Sequence, residues 1–96
     1  MGSTMKLIDA VNQLNNLDQE STIYASRPWA ENSLTVVARE PESGGLPLEA
    51  ERLGLSYFLE VFVARDFVEG WVASLDAQPT LRQKCERLIK YAATDA

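Results

Sequence analysis

The chain has 96 residues, a formal net charge of −5 at pH 7, one cysteine and no histidine. These features exclude histidine-dependent acid/base, nucleophilic and metal chemistry, as well as an internal disulfide. We therefore expect no catalytic residues, no metal and no cofactor, and the acidic balance argues against a nucleic-acid partner. No stretch approaches the ~20 apolar residues that span a bilayer, and the lone cysteine favours a reducing, cytoplasmic location.

Length and composition predict one folded domain. Apolar residues make up 46% of the chain and charged residues 24%, which is close to globular averages. A chain of this length fits a single domain, which is expected over residues 5–96. Residues 1–4 precede a second methionine, Met5, and are interpreted as a cloning remnant, and no secretion signal is expected after them.

Three elements are predicted in the first forty residues. Apolar side chains at helical spacing predict a helix from Met5 to Asn16. Good β formers predict a short strand over Ser21–Ser26, which Pro28 ends because proline has no amide donor. Ser33–Arg39 is the clearest strand, since its centre is dominated by β-branched residues.

The middle of the chain predicts a loop and a short helical turn. Glu40–Gly45 is rich in proline and glycine, and Pro47 and Gly54 bracket the turn that follows. Residues 57–75 have two interpretations, either one long helix or a strand followed by a helix that starts near Val63. We favour the second, because a single helix would place three apolar side chains on its charged face.

The strand interpretation assigns the side chains of this segment to two sheet faces. Tyr57, Leu59 and Val61 share one face, and Phe58 and Phe62 share the other. The helix that follows is expected to bury an apolar stripe. That stripe comprises Phe67, Val68, Trp71, Val72 and Leu75.

The last helix is predicted to begin at Thr80, because Thr80 and Gln83 stand at the spacing of a capping box. Its buried stripe comprises Leu81, Cys85, Leu88, Ile89 and Ala92. The neighbours Lys84 and Arg87 would lower the pKa of the Cys85 thiol, but its place in the stripe favours a core cysteine. Together the elements predict an α+β fold, with a small antiparallel sheet of two or three strands packed against about three helices.

Two charged groups have alternative interpretations. Glu60, Asp66 and Glu69 suit metal binding or acid/base catalysis. Arg65 lies among them, however, so a solvated helix face is the simpler interpretation. The basic residues of the last helix are interrupted by Glu86 and have no aromatic row beside them, which argues against a nucleic-acid surface.

The eight aromatic side chains are too many to be fully buried in a domain of this size. Partly exposed aromatic residues are the usual anchors of protein interfaces. Trp29, on the loop after Pro28, is one candidate anchor, and Phe58 or Phe62 on the uncovered sheet face is another. Four acidic residues are candidates for steering a basic partner towards these anchors: Glu40, Glu42, Glu49 and Glu51.

Several of these features follow one another along most of the chain. They are Ile23-Tyr24, Pro28-Trp29, the strand Leu34–Ala38, the acidic Pro/Gly loop, Gly54–Leu59 and a final helix closing on Tyr91 and Asp95. In this pattern the chain resembles a group of short bacterial proteins of unknown function, of the kind carried on mobile gene cassettes or acting as immunity proteins. The resemblance implies a stand-alone binding protein and no catalytic residues.

The leading hypothesis is a non-enzymatic protein-binding domain that masks a basic surface, as an immunity-type inhibitor does. The first alternative is a homodimer with a structural or small-ligand role. It would be built across a sheet edge or the aromatic face, which would hide the surplus aromatic side chains. The second alternative is an enzyme that uses the carboxylates of Glu60, Asp66 and Glu69.

Overall fold

A computed structural model describes residues 4–94. The strands are β1 (Met5–Lys6), β2 (Thr22–Ala25), β3 (Leu34–Ala38) and β4 (Ser56–Glu60). The helices are α1 (Leu7–Asn12), α2 (Leu48–Arg52), α3 (Val61–Ala73) and α4 (Leu81–Thr94), with a 3-10 turn at Leu14–Asn16. Asp95 and the first three residues of the interpreted cloning remnant lie outside the described residues.

The four strands form one antiparallel sheet in the order β1-β3-β2-β4, which confirms the α+β prediction. The sheet has one strand more than the two or three predicted, because Met5 and Lys6 are extended. They pair with Thr35 and Leu34, and the helix begins only at Leu7. The apolar spacing of this segment does not reveal that β3 has a free edge. Pairing with that edge satisfies the backbone hydrogen-bonding groups of Met5 and Lys6.

The main core lies between one face of the sheet and helices α1, α3 and α4. It includes Leu7, Val11, Leu14, Ile23, Ala25, Leu59, Val61, Ala64, Cys85 and Leu88. The opposite face is covered by a smaller cluster, in which Ala50 of α2 and Leu55 pack with Tyr24 and Val36. The sheet is therefore buried on both sides near β2, which is why every residue of that strand is buried.

A β-bulge in β4 changes which residues face the main core. Ile23 pairs with Leu59 and Tyr24 pairs with Tyr57, so Phe58 lies between the two pairs. Phe58 and Leu59 therefore both join the main core, although they are adjacent in sequence. The prediction that Phe58 and Leu59 lie on opposite faces is wrong, because strict alternation ends at a bulge.

The preferred interpretation of residues 57–75 as strand then helix is confirmed. The helix begins at Val61 rather than near Val63, so Phe62 lies in its first turn and not on a sheet face. The backbone N–H of Val61 donates to the carbonyl oxygen of Ser21 at 2.9 Å, which attaches this junction to the start of β2. The junction thus has a defined position against the sheet.

The predicted ends of two helices are confirmed. Gly54 follows α2 with a φ of +71°, a conformation that glycine adopts without a Cβ clash. At the start of α4, the N–H of Thr80 donates to Oε1 of Gln83 at 2.8 Å, and the N–H of Gln83 donates to Oγ1 of Thr80 at 3.1 Å. These are the two reciprocal bonds of a capping box.

The apolar stripe of α3 is less buried than predicted. Only Val61 and Ala64 of this helix are fully buried. Phe67, Val68, Trp71 and Val72 are half-buried, and Leu75 beyond the helix is exposed. Strand β4, the 3-10 turn and α4 contact α3, but Trp71, Val72 and Leu75 at its C-terminal end lie outside the main core.

Candidate functional site

An open pocket of about 400 Å³ lies at one end of the sheet. It is lined by Gln19, Glu20, Ser21, Thr22, Glu40, Glu60 and Phe62, and we call it the acidic pocket. The register explains its composition, because Thr22 pairs with Ala38 on one side and with Glu60 on the other. The start of β2 and the ends of β3 and β4 therefore lie side by side. These three segments contribute the carboxylates of Glu20, Glu40 and Glu60.

Phe62 provides the apolar part of the acidic pocket. Its side chain is 55% exposed, while the neighbouring Val61 is fully buried and bonded through its N–H to Ser21. The first turn of α3 is thus fixed, and it presents the Phe62 ring to solvent beside the carboxylates. An exposed aromatic ring next to negative charge suits a side chain with an apolar stem and a cationic head.

Two tyrosines beside the pocket respond to its charge. Burial raises the pKa of the Tyr57 hydroxyl above its usual value, and the carboxylates of Glu60 and Glu40 raise it further. Burial also raises the pKa of Tyr24, with added contributions from Glu40 and Glu60. The carboxylates of Glu40 and Glu60 are therefore close enough to both tyrosine hydroxyls to disfavour their ionisation.

Arg39 forms ion pairs on one side of the pocket. Its Nη2 lies 2.9 Å from Oδ2 of Asp18, and its Nη1 lies 3.8 Å from Oε1 of Glu20. A bond from the backbone N–H of Glu20 and the guanidinium of Arg39 together lower the pKa of Asp18. Within residues 4–94 no ion pair involves Glu40 or Glu60, so no described cation is in direct contact with either carboxylate.

Trp29 is half-buried rather than free on its loop. Its Nε1 donates to the carbonyl oxygen of Ala25 at 3.2 Å. Its ring meets Phe58 edge to face, and the Arg27 guanidinium lies 4.5 Å from the ring centroid. Much of this predicted anchor is therefore used inside the fold.

The prediction that Phe58 is an exposed anchor is wrong, since Phe58 is 1% exposed and its ring lies in the main core. The bulge in β4 accounts for this, because it directs Phe58 and Leu59 to the same side. Phe62 is the one predicted phenylalanine that remains available. Its exposure comes from the first turn of α3 and not from the sheet face that the sequence predicted.

The predicted acidic residues do not form one group. Glu40 lines the acidic pocket, but Glu42 is exposed in the following loop. Glu49 and Glu51 belong to α2, which packs on the other face of the sheet. Sequence reasoning missed the contribution of Glu20 and assigned Glu60 to a different cluster. Strand register places both residues at the pocket, and no signal in the sequence specifies that register.

The carboxylates proposed for catalysis are not gathered as a metal site. Glu60 belongs to the acidic pocket, while Asp66 and Glu69 lie on α3, where Glu69 shares a groove with Arg65 and Lys84. In the part of the chain that the structure describes, no three histidine, cysteine, aspartate or glutamate side chains lie close enough together to hold a metal ion. The solvated-face interpretation fits these positions, since Asp66 and Glu69 are both exposed.

Cys85 is fully buried in the main core, as its place in the α4 stripe predicts. Burial raises the pKa of its thiol to about 11, and the carboxylates of Glu31 and Glu86 add to the effect. The lowering of the pKa expected from Lys84 and Arg87 is therefore wrong, because desolvation by burial is the largest contribution and it raises the pKa. A buried thiol that stays protonated is a poor nucleophile.

Comparison with known proteins adds no relative to this description. No protein-family model, no curated protein and no solved structure matches the chain. Over residues 4–94, each helix is too short or too polar to cross a lipid bilayer.

Proposed function

We propose that this protein is a non-enzymatic binding domain that docks a basic protein partner at the acidic pocket, as an immunity-type inhibitor would. The observation that carries the proposal is the exposed Phe62 ring beside Glu40 and Glu60, two carboxylates without a described ion-pair partner. A lysine or arginine of the partner fits both features at once. Its stem contacts the ring while its head meets the carboxylates.

Long-range charge supports the same partner chemistry. The chain carries 14 acidic and 9 basic residues, so a basic partner is attracted before contact is made. Glu20, Glu40 and Glu60 then concentrate that potential at one end of the sheet. The pocket is open, which suits the side chain of a macromolecule better than an enclosed small ligand.

The proposal is tested by capture with two matched variants. Glu40→Gln combined with Glu60→Gln removes two charges from the pocket, and Glu42→Gln with Glu51→Gln removes two charges elsewhere. Tagged wild-type protein and both variants are incubated with lysate of the source cells, and bound proteins are quantified by mass spectrometry. We expect one basic protein to be retained by the wild type and by the second variant but lost from the pocket variant.

The partner then allows a kinetic measurement. Association should slow as salt is added, because attraction between exposed charges is screened. Phe62→Ala should mainly speed dissociation, since it removes contact area without changing charge. Equal retention of the partner by both charge variants would show that the acidic pocket is not the docking site.

A further inference from the structure

The C-terminal end of α3 has apolar side chains that lie outside the main core, whereas Phe67 and Val68 pack partly against it. From Phe67 onwards no residue of this helix is fully buried, although the segment includes Val68, Trp71 and Val72. Leu75 follows and is 37% exposed. Partly exposed tryptophan side chains are enriched at protein interfaces.

Whereas Val68 and Val72 line a different groove beside α1, Trp71 and Leu75 form one wall of a groove between the end of α3 and α4. The groove has a volume of about 610 Å³, and its apolar side chains are Trp71, Leu75, Ala77 and Pro79. Its polar rim contains Asp76, Gln78, Gln83, Glu86, Arg87 and Lys90. A large aromatic residue beside a groove of this size matches the anchor-and-pocket arrangement of protein interfaces.

The packing behind the groove is already ordered. Phe67 stacks on Tyr91 with ring centroids 4.1 Å apart, and the Arg87 guanidinium lies 4.9 Å from the Phe67 ring. Side chains that are held in place before binding lose less conformational entropy on association. The groove is therefore suited to a rigid partner surface.

Charge identifies which partner fits. The rim has two acidic residues, Asp76 and Glu86, and two basic residues, Arg87 and Lys90. Copies of a chain with net charge −5 repel each other in general, but here the local charge is balanced. A two-fold contact requires a patch that is complementary to itself, and a rim of both signs meets this requirement.

We propose that the α3–α4 groove is the interface of a symmetric homodimer, in which Trp71 of each copy packs into the groove of the other. Acidic rim residues of one copy then face basic rim residues of its partner. The acidic pocket does not take part in this contact, so the proposal stands independently of the docking of a basic protein. It also differs from pairing of sheet edges, which the two-residue β1 and the bulge in β4 oppose.

The test uses two rim variants and their mixture. Asp76→Lys with Glu86→Lys makes the rim entirely basic, and Arg87→Glu with Lys90→Glu makes it entirely acidic. Sedimentation velocity and light scattering should show a dimer for the wild type and a monomer for each variant alone. An equimolar mixture of the two variants should recover a heterodimer, since opposite rims then face each other.

Controls separate the interface from general charge and folding effects. Glu49→Lys with Glu51→Lys makes the same net charge change as the basic-rim variant, and it should leave the dimer intact. Circular dichroism establishes that each variant is folded, which matters because Arg87 is half-buried over Phe67.

Two results would overturn the proposal. One is a wild-type monomer at concentrations up to about 1 mM, the weak end of specific binding. The other is a dimer that persists in both rim variants, because the contact then lies elsewhere on the chain.

Discussion

The rings of Trp29 and Phe58 meet edge to face, with centroids 4.9 Å apart and an interplanar angle of 88°. The contact joins the loop after β2 to the bulged residue of β4, which are almost thirty positions apart in sequence. Nε1 of Trp29 also donates to the carbonyl oxygen of Ala25, so the indole closes its own loop. A tryptophan with the sequence context of a surface anchor thus has a structural role in this fold.

Truncating Trp29 should therefore destabilise the protein before it affects any partner. We expect Trp29→Ala to lower the free energy of unfolding by about 2–4 kcal/mol, near the lower end for large aromatic truncations because the residue is half-buried. Trp29→Phe keeps a ring against Phe58 but loses the hydrogen bond to the carbonyl oxygen of Ala25. It should lower the free energy of unfolding by about 1 kcal/mol. Urea unfolding measures both, and an unchanged midpoint for Trp29→Ala would contradict this role.

Arg65 should contribute to stability through two carbonyl groups. Its Nη2 donates to the carbonyl oxygens of Leu14 at 3.0 Å and Leu17 at 2.7 Å, which ties α3 to the turn after α1. Its Nε is buried without a hydrogen-bond partner, which offsets part of the gain. Arg65→Met keeps much of the apolar stem, and we expect it to lower the free energy of unfolding by about 1–2 kcal/mol.

Arg82 is the matched control for Arg65. It forms an ion pair with Glu31 at 3.1 Å, in which the Arg82 side chain is 69% exposed and the Glu31 side chain 37% exposed. Arg82→Met should therefore change the free energy of unfolding by less than about 0.5 kcal/mol. If denaturant titrations gave equal losses for Arg65→Met and Arg82→Met, the two half-buried carbonyl contacts of Arg65 would have no special weight.

Two glycines should respond oppositely to substitution by alanine. A Cβ added at Gly54 or at Gly70 meets no atom within 4 Å, so packing does not decide either result. Gly54 has a φ of +71°, and alanine there is strained by about 1 kcal/mol. Gly70 lies inside α3, where alanine should add about 0.5–1 kcal/mol to stability. Thermal unfolding at low concentration compares the two, and a loss for Gly70→Ala would contradict the prediction.

The buried thiol of Cys85 predicts an alkaline loss of stability. Its pKa is raised from 9.0 to about 11, so the folded chain holds this proton more tightly than the unfolded chain. The stabilisation is fully present below pH 9 and is lost as the pH rises towards 11. At about pH 10.5 the free energy of unfolding of the wild-type protein should be about 2 kcal/mol lower than it is below pH 9.

Cys85→Ala isolates the thiol from other groups that titrate at high pH. Tyr24 and Tyr57 also have raised pKa values, and both variants retain them. The variant should be less stable near neutral pH, because a buried sulfur is lost, but its stability should fall less steeply above pH 9. Parallel pH profiles of the urea midpoint for the two proteins would contradict the assignment.

Local sequence signals predicted the elements that depend on nearby residues. The β-branched centre of β3 and the capping box of Thr80 and Gln83 are examples, because their causes lie within a few positions of each other. The burial of Cys85 also follows from the spacing of α4. The fourth strand escaped prediction, since Met5 and Lys6 become extended only by pairing with β3.

For the candidate site, composition determined that the surface is acidic and that surplus aromatic side chains must remain partly exposed. Only the tertiary structure decided which ones, because a bulge buries Phe58 while the start of α3 exposes Phe62. Glu40 and Glu60 meet because antiparallel register brings the ends of β3 and β4 to the start of β2. Register depends on pairing between distant segments, whereas charge and helix spacing are properties of the chain itself.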